Sequence, residues 1–120
     1  MMRDTVRDGA SETVHGTCVA LGADAALIRG RSGTGKSDLA LRFLALPEGE
    51  ADQTRLVADD QVRLTSAEDG LMASPPANLA GLIEVRGLGI QQVPYVGAAR
   101  LVLVCDLVAA QDVPRMPPDP

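Results

Sequence analysis

The sequence predicts an α/β domain organised around a mixed β-sheet, and three observations predict it. A β-rich apolar segment at residues 25–29 runs directly into a glycine-rich turn at 30–35. An amphipathic helical stretch follows at 36–46. Short apolar runs bounded by turn residues then recur along the chain, as expected of hairpins that add antiparallel strands to such a sheet.

Taken in order, residues 1–12 are polar and aperiodic and read as a disordered N-terminal tail. Residues 13–21 (TVHGTCVAL) are β-rich, and Gly22-Ala23-Asp24 reads as a tight turn into 25–29 (AALIR), together an antiparallel hairpin. In the helix at 36–46, Leu39, Ala40, Phe43 and Leu44 form one apolar stripe, and Asp38 suits the positive first turn. Pro47 and Gly49 end it. Residues 55–58 (RLVA) read as a short buried strand that stops at Asp59-Asp60.

Residues 62–65 and 71–73 read as a second hairpin across the turn at 67–70. Ser74-Pro75-Pro76 suits the entry to a short helix ending near Ala80. Residues 82–86 (LIEVR) are extended and lead to Gly87-Leu88-Gly89, and 101–105 are the clearest interior strand. Four prolines among residues 113–120 argue against regular structure there. The expected organisation is thus a tail at 1–12, one domain at 13–116 and a proline-rich end at 117–120, with no internal repeat.

Composition excludes several classes. The 120 residues suffice for one domain with its own core, and 46% are hydrophobic. A net charge of −5 argues against a nucleic-acid binder, and aromatics at 2% leave no platform for stacking bases. No apolar run is long enough to span a membrane, and the first twelve residues carry no signal-peptide core. Cys18 and Cys105 sit in apolar runs with no C-x-x-C spacing, so buried free thiols in a reducing cytoplasm are expected.

Residues 30–37 read Gly30-Arg31-Ser32-Gly33-Thr34-Gly35-Lys36-Ser37, a match to G-x-x-x-x-G-K-[ST] at every specified position. The chemistry explains each part. Glycines let consecutive N–H groups turn toward one anion without a Cβ in the way, and the following helix points its positive end at the same place. Lys36 would reach the β- and γ-phosphates of a nucleotide such as ATP, and the Ser37 hydroxyl would ligate Mg²⁺. The strand before the motif and the amphipathic helix after it are the context that this P-loop reading requires.

Phosphoryl transfer also needs a metal-organising carboxylate and a group that aligns or deprotonates the nucleophile, and carboxylates that end buried strands are the candidates. Two are on offer: Asp106, after the apolar run 101–105, and Asp59, after 56–58 and doubled by Asp60. Pattern alone does not separate them. His15, the one histidine, reads from its surroundings as a structural residue, and Asp60 as a supporting or capping one. Glu84 and Arg86 alternate onto one strand face, as a surface ion pair or as part of a site.

His15-Gly16, the motif at 30–37, Leu56-Val57-Ala58-Asp59-Asp60 and Ile83-Glu84-Val85-Arg86-Gly87-Leu88-Gly89-Ile90 together resemble the catalytic domain of HPr kinase/phosphorylase, over about residues 13–116. The last stretch is the most specific, since a generic P-loop protein has no reason to carry it. The resemblance implies a fold also similar to phosphoenolpyruvate carboxykinase. It implies an ATP-dependent kinase acting on a serine of HPr, the small phosphocarrier of the sugar phosphotransferase system. It assigns Mg²⁺ to Ser37 and Glu84, the proton acceptor to Asp59, a grouped histidine to His15, and a segment needed for catalysis to residues 83–92. It matches Arg115 to a late active-site arginine and leaves Asp106 on a structural strand. Arg86 is then suited to neutralise charge on the transferred group.

A hexamer is also implied by the resemblance. Longer members carry an N-terminal domain and a C-terminal segment used in dephosphorylation that have no counterpart here, so the reverse reaction is not expected. The reading is therefore a cytoplasmic protein-serine kinase for HPr or an HPr-like carrier that regulates carbohydrate metabolism. Its rivals are a non-catalytic ATP-binding sensor and a small-molecule kinase.

Overall fold

A computed structural model describes residues 11–31, 35–46 and 53–108. The strands are β1 Ser11–His15, β2 Thr17–Leu21, β3 Asp24–Arg29, β4 Thr54–Ala58, β5 Gln61–Ala67, β6 Gly70–Ser74, β7 Leu82–Val85, β8 Gly89–Gln92 and β9 Ala99–Asp106. One helix, α1, spans Lys36–Leu44, and a single 3-10 turn spans Ala77–Leu79. Seven strands form one sheet in the order β1-β5-β6-β9-β3-β2-β4, and β7 and β8 form a separate hairpin. In the large sheet β3 and β9 run parallel while the other neighbours are antiparallel, so the expected mixed sheet is observed.

The expected hairpin of residues 13–29 is half of what the chain builds. Leu21 pairs with Asp24 across the two-residue turn Gly22-Ala23, so β2 and β3 are the hairpin. Gly16 cuts off the first part as β1, which pairs with β5 at the opposite end of the sheet. Ser11 and Glu12, expected in the tail, belong to this strand. The cut falls at Gly16 for a steric reason. A Cβ there would lie 2.9 Å from the Ile28 carbonyl oxygen and 2.9 Å from Leu27 Cδ1. Only glycine lets the backbone pass so close.

The connections β1–β2 and β4–β5 both cross between the two ends of the sheet, so the sheet curls until those ends meet. At the seam the Gly16 N–H donates to the Asp60 carbonyl at 3.1 Å. His15, Thr17, Asp59 and Asp60 therefore come together, although 42 residues separate Thr17 from Asp59.

A bulge in β4 decides which way Asp59 points. Cys18 pairs with Ala58 but Val19 pairs with Leu56, leaving Val57 as the extra residue. Val57 and Ala58 consequently both bury into the cluster that holds Cys18, Ala20, Leu27 and Val62. Leu56 faces the other cluster, with Val19, Ile28, Ala40 and Ile83. A bulge shifts the alternation by one, so Asp59 lands on the face that carries α1 rather than the opposite one.

Helix α1 packs on that face against β2, β4 and β7. Ala40 is fully buried, with Leu41, Phe43 and Leu44 packed around it. Leu39, expected in the stripe, is instead 40% exposed, because the buried arc is centred one residue later. The helix ends at Leu44, short of the expected 46, where the Thr54 hydroxyl donates to the Leu44 carbonyl at 3.4 Å. The short helix expected at 74–80 is one 3-10 turn.

β9 is central in strand order, as an interior strand should be, yet Val102, Leu103 and Val104 are each more than 40% exposed. β6 pairs only with Ala99 and Arg100 of this strand, so the apolar run 101–105 is paired along β3 alone. Cys105 is accordingly half-buried, whereas Cys18 is fully buried; both thiols are free. Past β8 the chain returns to the edge strand β4, with the Leu56 N–H on the Pro94 carbonyl at 3.0 Å and the Val96 N–H on the Leu56 carbonyl at 2.9 Å. No helix among the described residues is long and apolar enough to cross a membrane.

Candidate functional site

An open cavity of about 870 Å³ lies at the seam. Its walls are the start of α1, the ends of β1 and β4, the first residue of β2 and the β7–β8 hairpin. Sequence-predicted residues His15, Gly35, Lys36, Ser37, Asp59, Glu84 and Arg86 all line it. Gly30 and Arg31 follow the end of β3 and are not among the cavity's lining residues. Ser32, Gly33, Thr34 and Arg115 lie outside the described residues.

Gly35 caps α1 with φ 94°, a left-handed conformation natural to glycine, and its carbonyl accepts the Leu39 N–H at 2.9 Å. Lys36, Ser37 and Asp38 of the first turn line the cavity, and the first N–H groups of a helix find no partner within it. Lys36 bends back from the same turn, and its ammonium donates to the Gly30 carbonyl at 2.7 Å and the Arg31 carbonyl at 3.1 Å. The 30–37 segment is thereby closed on itself by its own lysine.

Asp59 is the hub. Its Oδ1 accepts from the Thr17 hydroxyl at 2.9 Å and from the Ser37 hydroxyl at 3.4 Å. Its Oδ2 accepts from the Glu84 backbone N–H at 3.1 Å. One carboxylate thus ties together β2, α1 and β7. Asp60 takes φ 73°, a conformation that Asp tolerates better than most side chains, and this turns the chain from β4 into β5. Its Oδ1 lies 3.5 Å from His15 Nδ1, with both side chains more than half exposed.

Asp106, the rival carboxylate, is elsewhere. The Arg29 guanidinium grips it through Nε–Oδ1 at 2.7 Å and Nη2–Oδ2 at 3.0 Å. Those hydrogen bonds hold the Asp106 carboxyl below its ordinary range and raise Arg29 above its own. Glu84 and Arg86, considered above as a surface ion pair, do not pair with each other; both face the cavity.

The polar donors suit an ion of the Mg²⁺ class. The Ser37 hydroxyl and the Glu84 carboxylate, the pair expected to take the metal, line one cavity and are hard oxygen groups of the kind Mg²⁺ prefers. Among the described residues no three His, Cys, Asp or Glu side chains gather as a self-sufficient metal cage. Mg²⁺ shared with substrate phosphates asks for only one or two protein carboxylates.

Thr17 was missed from sequence. It is 1% exposed, and its hydroxyl makes the shortest side-chain contact to Asp59. The available signal was a polar residue opening the otherwise apolar run 17–21, one position after the sterically required Gly16.

Residues 9–104 match the family model for the HPr serine kinase C-terminal domain. The chain is similar to HPr kinase/phosphorylase of Peptoclostridium acidaminophilum, 39% identical over 103 residues, covering 82% of this chain and 32% of that protein. It is 43% identical over 81 residues to the enzyme of the same name from Clostridium tetani, covering 68% of this chain and 25% of that one. It therefore spans about a third or less of these relatives' length. Among solved structures, the Hpr(Ser) kinase/phosphatase from Coxiella burnetii superposes with a TM-score of 0.76 at 28% identity, covering 88% of this chain and 64% of that one. With its fold, its sequence relatives and its family match in agreement, the chain belongs to the HPr serine kinase C-terminal domain family.

Proposed function

We propose that the chain is an ATP- and Mg²⁺-dependent kinase module that phosphorylates a serine of HPr or an HPr-like phosphocarrier, in the cytoplasm, as part of the control of carbohydrate metabolism. The observation that carries this reading is the Asp59 carboxylate, bonded to Thr17, Ser37 and the Glu84 N–H inside a cavity that also holds Lys36. The names of the relatives, HPr kinase/phosphorylase and Hpr(Ser) kinase/phosphatase, support the choice of acceptor.

Segment 30–37 is the P-loop of this reading, and Gly30, Arg31, Ser32, Gly33, Thr34 and Gly35 are the residues whose backbone N–H groups would take the phosphates. Lys36 would exchange the carbonyls of Gly30 and Arg31 for the β- and γ-phosphates. The Ser37 hydroxyl and the Glu84 carboxylate would hold Mg²⁺, which would neutralise charge on the phosphoryl group that ATP supplies.

A serine hydroxyl is a weak nucleophile, so a carboxylate within hydrogen-bond reach must align it and take its proton. Asp59 does this, with His15 and Asp60 beside it at the seam. As the acceptor oxygen bonds to the γ-phosphorus, the bond to the ADP oxygen breaks and the acceptor proton passes to Asp59. Arg86 faces the charge that develops on the transferred group. Arg115 completes the set in this reading.

The test incubates the purified chain with Mg-ATP and an HPr homologue, with intact-mass spectrometry as readout and Asp59→Asn alongside. One phosphate on a carrier serine, absent with Asp59→Asn, is expected, with ATP affinity retained in the variant. ATP binding without transfer in the wild type would leave a nucleotide sensor; turnover with a metabolite instead would leave a small-molecule kinase.

A further inference from the structure

We infer that Thr17 is a positioning residue for catalysis, the fixed donor that holds the Asp59 carboxylate in one orientation through the transfer step. The inference rests on Asp59 being the proton acceptor.

Among the described residues three groups donate to Asp59, and they are not equivalent. Ser37 is the long contact, 3.4 Å, and lies on the first turn of α1, where its hydroxyl has a competing role toward the metal. The Glu84 N–H, at 3.1 Å, holds only Oδ2 and comes from the small hairpin sheet rather than the large one. Thr17, at 2.9 Å, comes from the seven-stranded sheet itself.

Cys18 pairs with Ala58, so Thr17 and Asp59 are the next residues outward on two hydrogen-bonded strands. The Val57 bulge puts Asp59 on the helix-bearing face, where the alternation of β2 puts Thr17 with Val19. Thr17 is also pinned from behind, because Gly16 sits against the Ile28 carbonyl and Thr17 pairs with Ile28 in the β2–β3 ladder. Its side chain is 1% exposed, so the hydroxyl is shielded from exchanging Asp59 for water.

The consequence is directional. Oδ1 accepts from both Thr17 and Ser37, while Oδ2 accepts from one N–H. If Ser37 turns to the metal, Thr17 alone keeps Oδ1 engaged and the carboxylate plane fixed. Oδ2 retains a lone pair for the acceptor proton, which leaves the serine oxygen as that oxygen bonds to phosphorus and ADP departs. A carboxylate free to rotate would present that lone pair only part of the time, and orientation errors of this kind cost orders of magnitude in rate.

The experiment measures transfer to an HPr homologue by the wild type, Thr17→Val, Thr17→Ser and Asp59→Asn, with Mg-ATP affinity by calorimetry and thermal unfolding on each. Thr17→Val keeps the shape and removes the hydroxyl. Expected is a fall in kcat of about 10- to 100-fold with KM for the carrier and ATP affinity within about twofold of wild type, and recovery in Thr17→Ser. Should Thr17→Val fail to fold, Thr17→Cys, close in size and a poor donor, is to lose kcat in the same way.

Wild-type kcat in Thr17→Val, or in the Cys variant, while Asp59→Asn is inactive would overturn the positioning role and leave Asp59 as the base. Equal loss in Thr17→Val and Thr17→Ser would overturn it as well. Full activity in Asp59→Asn, or no transfer by the wild type, would instead remove the kinase reading on which the inference rests.

Discussion

Arg29 and Asp106 close the ends of the one parallel strand pair in the large sheet, guanidinium to carboxylate through two hydrogen bonds of 2.7 and 3.0 Å. The pair lies one residue before Gly30, and the Leu107 N–H donates to the Arg29 carbonyl at 2.7 Å beside it. It therefore fixes the point at which the chain leaves β3 for the 30–37 segment.

Because Arg29 lowers the Asp106 carboxyl below its ordinary value, the unfolded chain takes up that proton first as acid is added. The pair's contribution is thus complete above the usual carboxylate range and is lost as pH falls through the lower folded value. Urea midpoints of wild type and Asp106→Asn should differ at pH 6 and converge toward pH 2. Both side chains are more than half exposed, so the difference should also shrink in high salt. A gap that persists unchanged at pH 2 would mean that packing rather than charge links the two strands.

Cys18 gives the opposite limb. Burial pushes its thiol from an ordinary 9.0 up to about 12. Below pH 9 both folded and unfolded chains keep the proton; between 9 and 12 only the folded one does, so stability falls as pH rises through that window. The loss is on the order of a few kcal/mol across it. Cys18→Ala should be less stable at neutral pH, through its cavity, yet show a flatter decline in chemical-denaturation midpoint from pH 9 to 11. Parallel declines would exclude the thiol as their source.

Gly16→Ala should destabilise by about 1–3 kcal/mol, because its Cβ meets a backbone oxygen that cannot step aside. The same substitution pushes on the seam where Gly16 bonds to Asp60. Urea unfolding measures the stability loss, and transfer activity should fall even at temperatures where the variant is fully folded. Wild-type stability would mean that β1 and β2 are not held at this close approach.

Lys36→Met should leave stability within about 1 kcal/mol, since the bonds it removes are two contacts to loop carbonyls at or near the surface. Mg-ATP affinity should fall at least about tenfold, the loss expected for a charge-assisted contact to phosphate. Calorimetry and a thermal melt on the same sample separate the two effects. Unchanged affinity would remove Lys36 from the phosphate site.

The helix that starts at Lys36, the β2–β3 hairpin and most of the polar groups around the cavity are legible in the residues alone. Each is a local matter: glycine spacing, helical periodicity and turn chemistry act within a few residues. The sequence also carries both candidate carboxylates, Asp59 and Asp106, with nothing local to choose between them. The family resemblance singles out Asp59, and long-range packing is what puts the two carboxylates in different places. Long-range pairing curls the sheet so that β1–β2 and β4–β5 meet, and one extra residue at Val57 turns Asp59 onto the face of α1 and under the hydroxyl of Thr17. Asp106, ending a longer apolar run, is held instead by Arg29. A strand's alternation has a period of two, so a single bulged residue reverses the direction of a side chain, and its position depends on the partner strand.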